Sequence, residues 1–185
     1  MTEHLPDTDT DTEAEAERAP GPSSGPATGQ DGGCYACREN ATPDVDLPPR
    51  LRILRTAHWR VVHAFGTALP GWLVVVPTRH VLGLAELDAA EAAELGPLLA
   101  DLSRALVEVV GCAKTYVMLM AEAEGFAHVH FHVVPRMPDQ PAELRGPRIF
   151  GALGVPPEQQ LPDAEADRLA EGITARLRAP GRPER

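Results

Sequence analysis

Aromatic side chains are scarce in this chain, with two Trp, two Tyr and four Phe among 185 residues. The hydrophobic share of 43% still suffices for one domain core, with room for tails. Positive charge is also in short supply. The net charge of −10 argues against a nucleic-acid or anionic-membrane surface. No long apolar run is present. WLVVVP, Trp72 to Pro77, is far too short to span a bilayer. The N-terminal stretch has no basic segment followed by apolar residues, so no secretory signal is expected there. Cysteines number three, an odd count that speaks against a disulfide framework. The close pair Cys34-Tyr-Ala-Cys37 then points to thiols or a metal in a reducing compartment, and the expectation is a soluble, cytoplasmic protein.

The charge is unevenly placed. Residues 1–33 hold eight acidic side chains against Arg18 alone and so carry −7 of the −10. They are rich in Asp, Glu, Thr, Pro, Gly and Ser, cannot bury enough surface to offset ordering entropy, and are predicted to form a disordered acidic arm. Order should begin near Cys34, with a long irregular entry to the domain. HWRVVHA (His58 to Ala64) and GWLVVVP (Gly71 to Pro77) read as strands joined through Gly66 and Pro70-Gly71. A long helix follows, capped by Asp88 and ended by Gly111, with Leu95, Leu98, Leu99, Leu102, Leu106 and Val109 in one apolar stripe. Pro97 should bend or break it. YVMLM (Tyr116 to Met120) reads as a short buried strand. Residues 138–157 read as loop, and a C-terminal helix is expected from a cap at Asp163, with Ala166, Leu169, Ile173 and Leu177 on one face and Pro180-Gly181 as its stop. The pattern implies an α+β domain: an antiparallel sheet with one long helix packed on it. The expected organisation is a tail at 1–33, a catalytic domain at 34–157 and a C-terminal helix and tail at 158–185. No internal repeat is visible.

HVHFHVV, from His128 to Val134, sets three of the seven histidines on alternate positions of an expected strand that Pro135 should stop. In a strand they would share one face, leaving Val129, Phe131 and Val133 for the other. Buried imidazoles have polar nitrogens to satisfy, so three readings compete: a metal site, a nucleophile with its supports, or a polar sheet face without chemistry. The Cys34/Cys37 pair adds two thiolates on one turn, for which zinc would want two further ligands from His4, His58, His63, His80 or the trio. His58 and His63, at odd separation on one strand, read as ordinary sheet residues.

These motifs together resemble the histidine triad superfamily of nucleotidyl hydrolases and transferases. HVHFHVV is similar to its His-φ-His-φ-His-φ-φ signature, where φ is an apolar residue, and LVVVPTRH to its apolar strand followed by Pro-x-x-His. The likeness runs from Cys34 to Arg136. In the zinc-bearing branch it implies a structural zinc held by Cys34, Cys37, His80 and His128, a closed set that takes His128 out of catalysis. It implies His130 as the nucleophile that forms a covalent nucleotidyl-imidazole, its other nitrogen donating to a backbone carbonyl. It implies His132 as a catalytic partner that donates to phosphate oxygens. A nucleotide-like small molecule and a homodimer are the partners implied.

The sequence also departs from that pattern. Glu124-Gly125-Phe126-Ala127 stands where a Gly-Gln-Ser/Thr segment holds phosphate in much of the family. An ungapped alignment back from His80 places Ala64 where an Asp often binds ribose. A zinc-stabilised module that binds a phosphorylated ligand without turnover is therefore an alternative, and a catalytic metal on the strand trio is another.

Overall fold

The computed structural model describes residues 33–123 and 125–179. The acidic arm up to residue 32, Glu124 and the Pro180-Gly181 stop lie outside the described residues.

The elements are helix α1 (Tyr35–Ala41), strands β1 (Leu54–Arg55), β2 (Trp59–His63) and β3 (Leu73–Pro77), helix α2 (Ala89–Val110), strands β4 (Lys114–Leu119) and β5 (Phe131–Arg136), and helix α3 (Asp163–Arg178). Every strand pairing is antiparallel and the order is β1-β2-β3-β5-β4. This is the expected α+β architecture, with β1 and α1 added. The entry is not irregular throughout: α1 starts directly after its N-cap Cys34, and short 3-10 turns at Asp44–Asp46 and Pro49–Leu51 follow it.

The two faces of the sheet differ because side chains alternate along each strand. Val61, Leu73, Val75, Phe131 and Val133 pack with Leu98, Leu102, Leu106, Ala170 and Ile173 of α2 and α3 in the main core. Full burial of a leucine such as Leu102 is worth about 1.5–3 kcal/mol. Trp59 is pinned by its indole N–H to the Glu91 carbonyl at 3.1 Å. On the opposite face Trp72, Val134 and Ala64 are covered by Ile149 and Ala152 of a 3-10 segment, Gly146–Ala152. The stretch expected to be loop thus builds a second, smaller core.

Helix α2 begins with a full capping box. Asp88 accepts from the amides of Ala90 and Glu91, while Glu91 accepts from the Asp88 amide. It ends at Gly111 with φ +75°, the left-handed cap the sequence suggests. Pro97 does not interrupt the helix. Ala93, whose carbonyl loses its partner there, is exposed, so water can replace the missing bond. Helix α3 is not capped by Asp163. Pro162 holds the cap position, and the Asp163 carboxylate instead meets Arg50 at 2.7 Å beside Asp167.

Strand β4 is not buried as expected. It is the sheet's edge, and Val117 is 45% exposed. Strand β5 runs through Pro135, which was expected to stop it. The Arg136 carbonyl accepts from Ala113 on the β4 side, so alternation turns the Pro135 nitrogen toward β3, whose pairing with β5 has ended at Leu73. No ladder bond is lost to the proline.

Candidate metal centre and histidine site

The polypeptide brings four predicted ligands together from three places. Cys34 and Cys37 sit at the start of α1, His80 follows β3 by three residues, and His128 lies just ahead of β5. Their donor atoms all lie within 4.8 Å of one another. Cys34 Sγ is 3.4 Å and Cys37 Sγ 3.6 Å from His128 Nδ1, and Cys37 Sγ is 3.2 Å from His80 Nδ1. Around a tetrahedral zinc, sulfur and nitrogen ligands stand about 3.6 Å apart, so these spacings fit the ion. The tautomer fits as well. His128 Nε2 donates to the Pro77 carbonyl at 3.1 Å, which leaves the Nδ1 lone pair facing the thiols. Burial also pushes the His128 pKa down, favouring the neutral ring that a metal requires.

The triad does not lie wholly on a strand. β5 starts at Phe131, so His128 and His130 precede it. The cause is a competing bond: the Val129 amide donates to the Val81 carbonyl at 2.8 Å instead of extending the sheet. That bond ties the segment to the loop carrying His80. The facing survives, since Val129, Phe131 and Val133 all enter the helix-side core.

His130 and His132 pack edge to face at 4.9 Å between ring centroids. His130 is half-buried, and its Nδ1–H donates to the His128 carbonyl at 2.8 Å. Nε2 therefore carries the lone pair. His132 is buried, and its Nδ1 accepts the indole N–H of Trp72 at 3.1 Å, which leaves hydrogen on Nε2. Burial, then the neighbouring His130, lowers the His132 pKa to about 4.

These commitments oppose a metal on the trio: His128 turns its Nδ1 lone pair to the thiols and His132 gives its own to the Trp72 indole, so only His130 has a lone pair left to offer. Among the described residues the candidate metal-binding group is Cys34, Cys37, His80 and His128. His63 bonds at both nitrogens, donating to the Ala64 carbonyl and accepting from the Gly71 amide, as a structural sheet residue does.

Three contributors have no motif in the sequence. Trp72 is one. Asn40, on α1, donates to the same Pro77 carbonyl as His128, at 2.9 Å. Tyr35, Phe65 and Phe126 form a ring cluster with centroids 5.2–6.0 Å apart, and the Tyr35 amide bonds the Gly125 carbonyl, fastening the loop before the triad to α1. Only the apolar run around Trp72 hinted at any of them.

Solved structures resemble the fold across most of the chain. A zinc-bound histidine triad family protein from Mycobacterium smegmatis superposes with a TM-score of 0.58 at 19% identity, over 80% of this chain and 97% of its own. A histidine triad protein from Bradyrhizobium japonicum gives 0.57 at 20% identity, over 68% and 89%. A hypothetical histidine triad nucleotide-binding protein from Sulfolobus tokodaii gives 0.57 at 15%, over 76% and 91%. The chain has the histidine triad fold. No protein-family model matches the chain, and no curated protein matches it.

Within that fold, Ala64 is buried beside Trp72, while Glu124, the carboxylate that stands where an amide is expected, lies outside the described residues. Ala64 offers no polar side chain to ribose. No helix among the described residues is long and apolar enough to cross a membrane.

Proposed function

We propose that this protein is a nucleotidyl hydrolase or transferase that works through a covalent nucleotidyl-His130. The observation that carries the reading is the bond from His130 Nδ1–H to the His128 carbonyl, which aims an unprotonated Nε2 away from the backbone. A neutral imidazole is a competent nucleophile near pH 7 without a strong base. Nε2 would attack an α-phosphorus, and His132 Nε2–H would donate to a phosphate oxygen. Water or a second acceptor would then release the nucleotide. Dinucleoside polyphosphates and nucleoside phosphoramidates are the substrate classes.

The metal in this reading is zinc, held by Cys34, Cys37, His80 and His128. Four protein ligands close its tetrahedron, so it would supply structure and fix the His128 carbonyl that orients His130. Residues 34–157 form the catalytic unit. Thiolate ligands suit a reducing cytoplasm. The edge of β4, which has no further strand beside it among the described residues, with Val117 exposed on it and Met120 just past its end, would serve a homodimer.

Quenching enzyme mixed with diadenosine polyphosphate or adenosine phosphoramidate should yield an acid-labile nucleotidyl adduct, lost in His130→Ala. No adduct with either compound, alongside measurable nucleotide binding, would favour a binding module. Ala64 in place of a ribose-binding Asp, with the carboxylate Glu124 in place of an amide, is the observation behind that second reading.

A further inference from the structure

We propose that Trp72 sets the leaving-group class: its indole N–H on His132 Nδ1 locks the hydrogen on Nε2 and restricts the site to leaving groups that depart as anions. The inference rests on the hydrolase reading and narrows it to phosphoric anhydrides over phosphoramidates.

The geometry leaves little freedom. An indole nitrogen only donates, so the 3.1 Å contact makes Nδ1 of His132 an acceptor. Trp72 is fully buried, and Phe150 packs edge to face against both rings, at 5.4 Å from Trp72 and 5.1 Å from His132. A proton added to Nδ1 would set donor against donor in a site with no room to turn. Burial acts in the same direction, since the His132 pKa is already down to about 4. The in-register neighbours Val74 on β3 and Met118 on β4 are apolar, and His130 is the titratable group whose ring touches His132. His132 can offer a hydrogen bond from Nε2 yet has no proton to surrender near neutral pH. His130 is not placed to supply one. Its Nδ1–H is bound to the His128 carbonyl, and its Nε2 is the attacking atom.

The consequence follows from the balance of the step. His130 Nε2 forms a bond to phosphorus, and the bridging bond breaks. In an anhydride its electron pair leaves on a phosphate oxygen, which is stable as an anion and needs no proton. In a phosphoramidate the pair would leave on an amine nitrogen, which departs only if it is protonated in the same step. In the second half-reaction water oxygen bonds to phosphorus, the N–P bond returns its pair to Nε2, and the water proton passes to solvent. General acid assistance is worth on the order of 10²–10⁴-fold, and that is what an amine leaving group would forgo here.

The test compares diadenosine tetraphosphate with adenosine 5′-phosphoramidate on the full chain. The expected kcat/KM ratio favours the anhydride by on the order of a hundredfold. Two-bond ¹H–¹⁵N spectra should show His132 protonated on Nε2 alone from about pH 8 to about pH 5. Trp72→Phe keeps the ring and the burial but removes the donor; its His132 should admit an Nδ1–H form and titrate at a higher pH than in the wild type, still below the free value, and its relative phosphoramidate turnover should rise on the acid side. An Nδ1–H tautomer in the wild type, or a Trp72→Phe protein with unchanged His132 titration, overturns the role of Trp72. The expected tautomer with equal or preferred phosphoramidate turnover overturns the leaving-group assignment alone. Turnover of neither compound overturns the hydrolase reading, and the preference with it.

Discussion

Cys34 and His128, 94 residues apart in the chain, meet at 3.4 Å between Sγ and Nδ1. Each belongs to a segment that the sheet alone would not hold. Cys34 opens α1, and His128 lies outside β5, so the contact joins the entry of the chain to the start of the histidine site.

Removing that contact should show in metal content first. Cys34→Ser or His80→Ala should lower bound zinc, counted as ions per chain, from about one to well below one. The melting temperature should fall in parallel, because metal binding energy is folding energy. Metal-free wild type with an unchanged melting temperature would rule the zinc site out.

His130→Ala should abolish turnover while leaving zinc content and melting temperature near wild type, since its ring is half-buried and no ligand is lost. His132→Ala should weaken turnover by roughly 10²–10³-fold, the scale of one lost donor to a developing anion. Single-turnover rates on both variants separate the two roles. Equal losses would show that the histidines share one function.

His63 gives a pH dependence with a definite sign. Burial depresses its folded-state pKa below the ordinary imidazole value, and its Nε2 accepts from the Gly71 amide at 3.1 Å. The unfolded chain therefore takes up the proton first as pH falls. The stabilisation is complete above about pH 6.5 and is lost through lower pH. His63→Leu should lower the melting temperature at neutral pH, and the gap to wild type should narrow by pH 5. A constant gap would contradict this assignment. Neutral His132 adds a slope of the same sign between about pH 6.5 and its value of about 4.

Val117 on the edge strand is 45% exposed. If β4 pairs with a second copy, Val117→Glu should shift the mass by light scattering from dimer to monomer, with β2, β3 and the metal centre unaffected. A monomeric wild type would remove the dimer from the proposed function.

How much of this was legible in the sequence depends on the range of the forces involved. Helix α2 announced itself through its leucine stripe, Asp88 and Gly111, all local signals. The ligand set and the order of the histidines were legible through motif spacing. The length of β5 was not, because the Val129 amide is claimed by Val81, a residue 48 positions away whose carbonyl carries no sequence signature. Trp72 was read only as part of a strand, since nothing local says that its N–H ends on His132. Pro97 and Pro135 were read as breaks for a related reason. Whether a proline costs a hydrogen bond depends on what lies opposite its nitrogen, and both sit where little is lost.

Helix α1 carries two of the four ligands yet has no buried residue. Its ties to the rest of the chain include Asn40 to the Pro77 carbonyl, the Tyr35 amide to the Gly125 carbonyl and the Tyr35 ring cluster. Such a segment opens locally, at a free-energy cost well below that of global unfolding. Its amides should therefore exchange hydrogen for deuterium far sooner than those of α2, and bound metal should slow α1 selectively. The route by which an ion enters or leaves is then the opening of one two-turn helix, with the sheet and both longer helices still folded.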